Sequence, residues 1–343
     1  MTLLGERLAE GMDPNDLAPG EILEHATWHA QTDNGRRYEK RSVSVGDISS
    51  PENRKRMNDR LDILNDWLKK NPGAPIPGDG VTNLASDAFY QNDKENTTMQ
   101  YWRDHYMPEA PALYNLQRPH DKRLFPGHYI DFYAEDIFIN ALDSIAIRAR
   151  SAIYDSVIMK YVSEHPQQDF QALALGAGAG IPNIDATVNA KQRFGKTIRW
   201  REFDLSQTSV NLNKVLFEEA GIPAEDVDAR RGDLKKAYVL DSDSVDMIDM
   251  LGLWEYLDRD RCVKALQEFY RILKPDGVMV VSNMLEDRPQ LDLNQRAIGW
   301  KGVKPRTIDE LIEIAHDAGI DTEGIRITIS DDGVYAVMEI HKS

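Results

Sequence analysis

The segment that most constrains the fold is a short apolar run, Phe170–Leu175, that leads directly into a turn with three glycines, Gly176–Gly180. A helical pattern follows at Ile184–Phe194. Because glycine lacks a Cβ atom, such a turn can bend tightly and approach a nucleoside-bearing ligand at the carboxyl edge of a sheet. Glycine is also the ordinary residue of any tight turn, so the pattern alone leaves a plain turn open.

The chain beyond this unit alternates between strand and helix patterns, which is typical of a parallel sheet with helices on both faces. The last two strands are separated only by a turn at residues 331–333, which predicts an antiparallel hairpin at one edge. We therefore predict an α/β fold with a doubly wound, mostly parallel seven-stranded sheet, in a Rossmann-like core at residues 134–343. After Phe170–Leu175 its strands are Thr197–Phe203, Val227–Arg230, Val245–Met250, Val278–Ser282, Ile325–Ile329 and Tyr335–Ile340.

Residues 1–133 are predicted to form a mainly helical region in front of this core, because a chain of 343 residues exceeds the usual size of one domain. The first fifty residues lack a sustained period and predict short elements or a mobile arm. Ser50-Pro51 then resembles a helix start. Four residues at helical spacing follow it and form one apolar stripe: Met57, Leu61, Leu64 and Leu68. A second long helix is predicted from Ala134 to about Ser163.

A segment rich in aromatic residues follows a Pro/Gly-rich linker at residues 71–81. Such a segment beside an α/β core can act as a substrate lid, although ordinary packing draws on the same residues. Lid, substrate and oligomerisation roles stay open for residues 1–133, including a homodimer formed through this region. The aromatic residues are Phe89, Tyr90, Tyr101, Trp102, Tyr106 and Tyr114.

The charge of the chain disfavours a nucleic-acid partner. Its net charge is -16 at pH 7, whereas each phosphate contact needs a Lys or Arg. The acidity favours a cationic substrate only weakly, and a solvated acidic surface is the simpler explanation. A single cysteine, Cys262, excludes an intramolecular disulfide and fits a reducing cytoplasm. The first residues lack an export signal and no segment is long enough to span a bilayer, so we expect a cytoplasmic protein without a membrane partner.

An acidic residue ends the second predicted strand of the core, where Asp204 follows Glu202-Phe203. A carboxylate at this position can accept hydrogen bonds from both hydroxyls of a ribose. Asp204 could instead cap the following helix. A nicotinamide dehydrogenase is disfavoured, because its fingerprint places the third glycine where this chain has Ile181.

In their order along the chain, these segments resemble the class I S-adenosylmethionine-dependent methyltransferase family over about residues 170–343. The similar segments are the glycine turn, Asp204-Leu205-Ser206, Arg231-Gly232-Asp233-Leu234, the stretch from Ser244 to Leu257, and Phe269–Gly277. The resemblance implies S-adenosyl-L-methionine as cofactor. It implies cofactor contacts at Gly176, Ala177, Gly178, Gly180, Asp204, Leu205, Asp233, Leu234 and Leu251.

Arg148 lies in the helix before the first predicted strand of the core, a helix that often crosses the amino-acid end of the cofactor in this family. It could therefore pair with the cofactor's carboxylate, or be a solvated helix residue. Two positions depart from the family pattern. Ala174 stands where an acidic residue is usual, which leaves open how the methionine ammonium is held, and Asp276 stands where glycine is usual.

The resemblance implies a reaction that needs no catalytic triad, because the sulfonium of the cofactor already makes its methyl group electrophilic. A carboxylate can orient an amine or guanidine, or act as base for a hydroxyl. Glu255 is the candidate catalytic residue, with an ordinary first-turn helix glutamate as the alternative. The candidate substrate contacts are Tyr129, Tyr133, Trp254, Glu255 and Tyr256.

Methyl transfer to a small molecule is the predicted function, with a nitrogen acceptor favoured over oxygen because of the acidic composition. An aminopropyl-type transferase on the same fold and a non-catalytic subunit that binds S-adenosylmethionine remain alternatives. No metal site is predicted, because the side chains around His128 lack zinc-ligand spacing. A serine hydrolase is disfavoured because no Gly-x-Ser-x-Gly elbow follows a strand.

Overall fold

A computed structural model describes residues 6–8, 13–74, 98–107, 109, 111–125, 130–300 and 302–343. Their strands form one sheet of ten, in the order β1-β2-β3-β9-β10-β8-β7-β4-β5-β6. The strands are β1 Glu6–Leu8, β2 Ile22–Gln31, β3 Arg37–Val45, β4 Asp169–Leu175, β5 Thr197–Asp204, β6 Val227–Arg231, β7 Val245–Met250, β8 Leu273–Met284, β9 Ile325–Ser330 and β10 Tyr335–His341.

Strand β4 lies at the point where the strand order reverses. It pairs in parallel with β5 on one side and with β7 on the other. Strands β6 and β8 continue the parallel arrangement outward, and β10 is antiparallel to both β8 and β9. The carboxyl ends of β4, β5 and β7 therefore bound the crevice in which open α/β sheets bind ligands.

Helices cover both faces of this sheet. On one face, α5, α6 and α7 pack on Ala172 and Ala174 of β4, and on the other face α8 and α9 pack on Leu173 and Leu175. Alternate residues of a strand point to opposite faces, which divides the core into these two layers. The helices are α1 Pro51–Lys70, α2 Thr98–His105, α3 Pro111–Gln117, α4 Phe132–Asn140, α5 Leu142–Glu164, α6 Ile181–Phe194, α7 Gln207–Glu219, α8 Arg259–Ile272 and α9 Ile308–Asp317.

The α/β class is confirmed, whereas the count of seven strands is wrong. The seven predicted strands are β4–β10, and the sheet continues through β3, β2 and β1 because β3 pairs in parallel with the edge of β9. The prediction of a mainly helical region before residue 134 missed these strands. Most side chains of β2 are exposed or half-buried. Strands of this kind carry little alternation of apolar and polar residues from which to predict them.

Helix α1 begins as predicted. The Ser50 hydroxyl accepts a hydrogen bond from the backbone N–H of Asn53, and the apolar stripe from Met57 to Leu68 is buried. The long helix predicted from Ala134 to Ser163 is two helices, because Ala141 between α4 and α5 has an extended backbone. Phe89 and Tyr90 lie outside the described residues. The boundary between residues 133 and 134 stays a prediction, as does a homodimer through residues 1–133.

Within the part of the chain that the structure describes, no helix has the length and apolar character required to cross a membrane.

Candidate active site

The glycine turn joins the carboxyl ends of β4 and β5. The backbone N–H groups of Gly176 and Ala177 both donate to the carbonyl of Phe203, at 2.8 and 3.2 Å. Gly176 and Gly178 have φ of 65° and 58°, in the left-handed region that favours glycine. A Cβ atom on Gly176 would lie 3.2 Å from the Cβ of Leu253, which follows β7. The turn therefore sits in the crevice between β5 and β7.

Asp204 lies against this turn. One carboxylate oxygen accepts the N–H of Gly178 at 2.9 Å and the other accepts the N–H of Ser206 at 2.8 Å. Burial raises the pKa of the Asp204 carboxyl, and these two hydrogen bonds oppose the rise. The cap of α7 is Ser206, whose hydroxyl accepts the N–H of Ser209 at 3.3 Å. Asp204 is therefore not the helix cap, and it is available at the edge of the sheet.

The other predicted cofactor residues at this edge differ in exposure. Leu205 is 67% exposed directly after β5. Asp233 is exposed and Leu234 half-buried after β6, which is linked to β5 because the N–H of Gly232 donates to the carbonyl of Asp204 at 2.9 Å. Leu251 is buried after β7, and its carbonyl accepts the Ser282 hydroxyl at 2.6 Å. All four follow strand ends along this edge.

Gly180 has a packing role that sequence reasoning did not foresee. A Cβ atom at this position would lie 2.3 Å from the side-chain nitrogen of Asn213 and 2.9 Å from the ring of Phe217. Glycine at 180 therefore allows α7 to approach the start of α6.

Arg148 is placed differently from its prediction. Its guanidinium makes a two-pronged contact with the carboxylate of Asp47, at 2.7 and 2.9 Å, and donates to the carbonyls of Leu116, Phe138 and Ile139. These contacts join α5 to the chain after β3. Arg148 thus serves the packing of the region before β4, which corrects the expectation that it holds the cofactor's carboxylate.

The arginine at the strand ends is Arg150. It is 4% exposed, donates to the carbonyl of Leu251 at 3.0 Å, and its guanidinium lies 4.6 Å from the ring centre of Tyr335. Its Nε has no hydrogen-bond partner among the described residues. Sequence reasoning missed Arg150 because helix α5 is buried around most of its circumference, so periodicity did not reveal which arginine faces the sheet edge.

The predicted substrate contacts other than Glu255 lie in different surroundings. Trp254 is fully buried in the core layer beneath α8 and α9, and its role as a substrate contact stays a prediction. Tyr256 is half-buried, and its hydroxyl accepts a hydrogen bond from the Trp300 indole. Tyr133 is 44% exposed on α4. Tyr129 lies outside the described residues.

Glu255 is buried beside the strand ends and faces an enclosed cavity. Its Oε2 has no hydrogen-bond partner in the described part of the chain. Burial raises the pKa of the Glu255 carboxyl, and the positive charges of Arg150 and Arg288 oppose the rise. Glu255 lies in a short 3-10 turn at Trp254–Tyr256, so it is not a glutamate on a solvated helix turn.

The cavity beside Glu255 has apolar walls and a polar base. Its free volume is about 20 Å³, which admits little more than one water molecule. Asp143, at the base, forms a buried ion pair with Arg288. The apolar lining comes from α2, α3, α4, α5 and residues 284–300, so helices α2 and α3, which precede the core, help to close the cavity. The lining includes Met99, Trp102, Phe138, Ile147, Ile298 and Trp300, with Asp143, Ser144, Arg150, Glu255, Asn294 and Tyr335 as polar members.

No cluster of three or more His, Cys, Asp or Glu side chains that could hold a metal ion occurs among the described residues.

The fold and the edge at Gly176–Asp204 define an α/β protein with a crevice suited to a nucleoside-bearing ligand. Residues 172–277 match the family model described as a methyltransferase domain. No curated protein sequence gives a match. Residues 172–277 therefore form a methyltransferase domain, which supports methyltransferase activity with S-adenosyl-L-methionine as cofactor.

Solved structures extend the similarity of fold beyond this segment. A protein from Bordetella parapertussis described as a possible exported protein is 16% identical, with a TM-score of 0.59 over 85% of this chain and 99% of that one. Magnesium protoporphyrin IX methyltransferase from Synechocystis PCC 6803, solved with bound S-adenosylmethionine, is 13% identical with a TM-score of 0.46, over 73% of this chain and 100% of that one. The similarity to the Bordetella parapertussis protein supports the fold and nothing beyond it.

The residues at the sheet edge fit a cofactor with an adenosyl group and an amino-acid group. The glycine turn and Asp204 offer a close backbone and a carboxylate for the ribose, and the unpartnered Nε of Arg150 offers a buried donor for an anion. When bound, S-adenosylmethionine supplies an electrophilic methyl group on its sulfonium.

Proposed function

We propose that this enzyme methylates a nitrogen atom of a small molecule, and that this nitrogen lies in the small cavity beside Glu255. The observation that carries the proposal is the unpartnered Oε2 of Glu255, a buried acceptor that faces an apolar cavity next to the sheet edge. A buried polar atom without a partner is costly, so a ligand that donates a hydrogen bond there is favoured.

The shape of the cavity supports a small acceptor over a macromolecule. Helices α2 and α4 enclose the space beside Glu255, and the aromatic rings of Trp102, Phe138 and Trp300 form its walls. A closed apolar site excludes water from two reacting partners and orients them for in-line displacement. The net charge of -16 still disfavours a nucleic-acid acceptor.

Glu255 supports nitrogen over oxygen through what its carboxylate can do. Oε2 can accept an N–H hydrogen bond from a neutral amine or guanidine and so direct the nitrogen lone pair away from itself. After transfer the nitrogen carries a positive charge and must lose a proton. Oε2 can receive that proton, because burial raises the pKa of the Glu255 carboxyl.

The charges around the cavity support an acceptor that enters uncharged. Asp143 is paired with Arg288, and burial raises the pKa of the Glu255 carboxyl, so no cationic ligand is required to balance the cavity. An amine must also be unprotonated to act as a nucleophile.

We keep a cytoplasmic location as part of the proposal, because the single cysteine, Cys262, is free and buried.

The test is incubation of the purified enzyme with S-adenosylmethionine labelled in its methyl group and a panel of small amines, guanidines and alcohols, followed by mass spectrometry. We expect one labelled N-methyl product. Transfer of the label to oxygen only would overturn the choice of nitrogen. A parallel incubation with decarboxylated S-adenosylmethionine tests the aminopropyl-type reaction, which an aminopropyl product and methylthioadenosine would support. Donor binding without any product would support a non-catalytic subunit.

A further inference from the structure

Ala174 lies between two acidic residues in the sheet. It is the register partner of Glu202 on β5 and of Asp249 on β7. Register partners on neighbouring strands point to the same face, so the two carboxylates flank the small side chain of Ala174. Ala174 is followed by Leu175, the last residue of β4, and then by the glycine turn. The row formed by Ala174, Glu202 and Asp249 therefore lies close to the edge of the sheet that holds Asp204.

Both carboxylate oxygens of Glu202 accept hydrogen bonds from neighbouring side chains. One of its oxygens accepts the amide of Asn183 at 2.9 Å and the other accepts the amide of Asn213. The hydroxyl of Tyr154 donates to Asn183 at 2.8 Å and completes the network. Burial raises the pKa of the Glu202 carboxyl, and the hydrogen bonds from Asn183 and Asn213 oppose the rise. Glu202 is therefore an internal structural acid.

Asp249 is the member of the row that lies near a positive charge. One of its oxygens accepts the N–H of Leu251 at 2.9 Å, and Asn183 also contacts the carboxylate. Burial raises the pKa of the Asp249 carboxyl, and the hydrogen bonds to Leu251 and Asn183 and the positive charge of Arg150 oppose the rise. A buried carboxylate that keeps its charge is stabilised by a cation beside it.

Arg150 places an opposite charge at the same strand end. Both side chains contact Leu251, since Asp249 accepts its N–H and Arg150 donates to its carbonyl. The Nε of Arg150 has no partner among the described residues, although the side chain is 4% exposed. The carboxylate of Asp249 and the guanidinium of Arg150, which both contact Leu251, are complementary to the ammonium and the carboxylate of an α-amino acid.

We propose that Asp249 and Arg150 hold the amino-acid end of the cofactor, with Asp249 at the ammonium and Arg150 at the carboxylate. Asp249 on β7 then supplies the charge that Ala174 on β4 lacks. The inference rests on the methyl donor of the proposed function and is independent of the acceptor.

The test is calorimetric binding of two ligands, S-adenosylhomocysteine and methylthioadenosine, which share the adenosyl thioether but of which only the first has the amino-acid group. Asp249→Asn should weaken S-adenosylhomocysteine about tenfold or more, the loss of a charge-assisted hydrogen bond, and change methylthioadenosine by less than about twofold. Glu202→Gln is the matched control from the same row, and we expect it to leave both affinities unchanged.

Arg150→Gln extends the test to the other charge. It should weaken S-adenosylhomocysteine and leave its decarboxylated analogue unchanged. In the wild-type enzyme, removal of the amino group or of the carboxylate from the ligand should each lower the affinity, which gives an answer even where a variant does not fold. Unchanged S-adenosylhomocysteine affinity in Asp249→Asn, or equal losses for both ligands, would overturn the inference.

The binding data also separate this inference from the proposed acceptor. Failure to find an N-methyl product leaves the ligand affinities intact. Absence of S-adenosylhomocysteine binding by the wild-type enzyme would overturn both the donor and the inference.

Discussion

The carboxylate of Asp204 accepts the backbone N–H of Gly178 at 2.9 Å, which joins the end of β5 to the glycine turn after β4. This contact holds the two segments together at the reversal of the strand order. A side chain that organises the turn and also offers an oxygen to a ribose affects both stability and ligand affinity.

Asp204→Ala should therefore weaken S-adenosylhomocysteine binding by about tenfold or more, because two ribose hydroxyls lose their acceptor. Asp204→Asn keeps one oxygen and should lose less. Calorimetry at 25 °C measures both, with thermal melting to confirm the fold. Equal affinity of wild type and Asp204→Ala would remove Asp204 from the site.

Glu255→Gln should lower turnover by about 100-fold or more, within the range of positioned acid and base groups. Donor affinity should stay within about twofold, because Glu255 faces the acceptor cavity and not the turn. Exposed Glu286, changed to Gln, is the matched control and should leave both values unchanged. Full turnover by Glu255→Gln would dismiss the catalytic role.

Arg148→Met should destabilise the protein by about 3 kcal/mol, because it leaves the buried carboxylate of Asp47 without its partner. The donor affinity of the folded variant should match the wild type. Urea unfolding and calorimetry together check this prediction. A large loss of donor affinity with little loss of stability would instead place Arg148 at the cofactor.

Glu202 should make the stability depend on pH. Its pKa rises from 4.5 to about 8 on folding, so the unfolded chain releases this proton first. The free energy of unfolding should fall as the pH rises from about 4.5 to about 8, by up to ~1.4 kcal/mol per pH unit from this group. Glu202→Gln should flatten the slope in urea unfolding between pH 5 and 9. Parallel slopes for both proteins would contradict the assignment.

Much of the core was predictable because its signals are local. A buried parallel strand that ends in glycines shows itself in consecutive residues, as at Phe170–Gly180, and alternating elements predict the seven strands β4–β10. The added strands β2 and β3 gave no such signal. Their side chains are largely polar, and their place is set by the pairing of β3 with β9, in which Glu39 meets Arg326, 287 residues further along the chain.

The candidate site divides in the same way. Asp204 and the glycine turn follow strand ends and could be predicted. Arg148 and Arg150 lie two residues apart on a helix and so point in different directions. Which one reaches Leu251 depends on how α5 packs, and the helix is buried on most of its surface. Trp254 and Glu255 are neighbours in sequence, yet the Trp254 side chain lies in the core beneath α8 and the Glu255 side chain lines the cavity.

A crystal structure of the complex with S-adenosylhomocysteine tests the central claim most directly. We expect the adenosyl group at the carboxyl edge of β4 and β5, with the ribose hydroxyls on Asp204 and the glycine turn against the ligand. Density for the ligand elsewhere, or none at this edge under saturating conditions, would contradict the account.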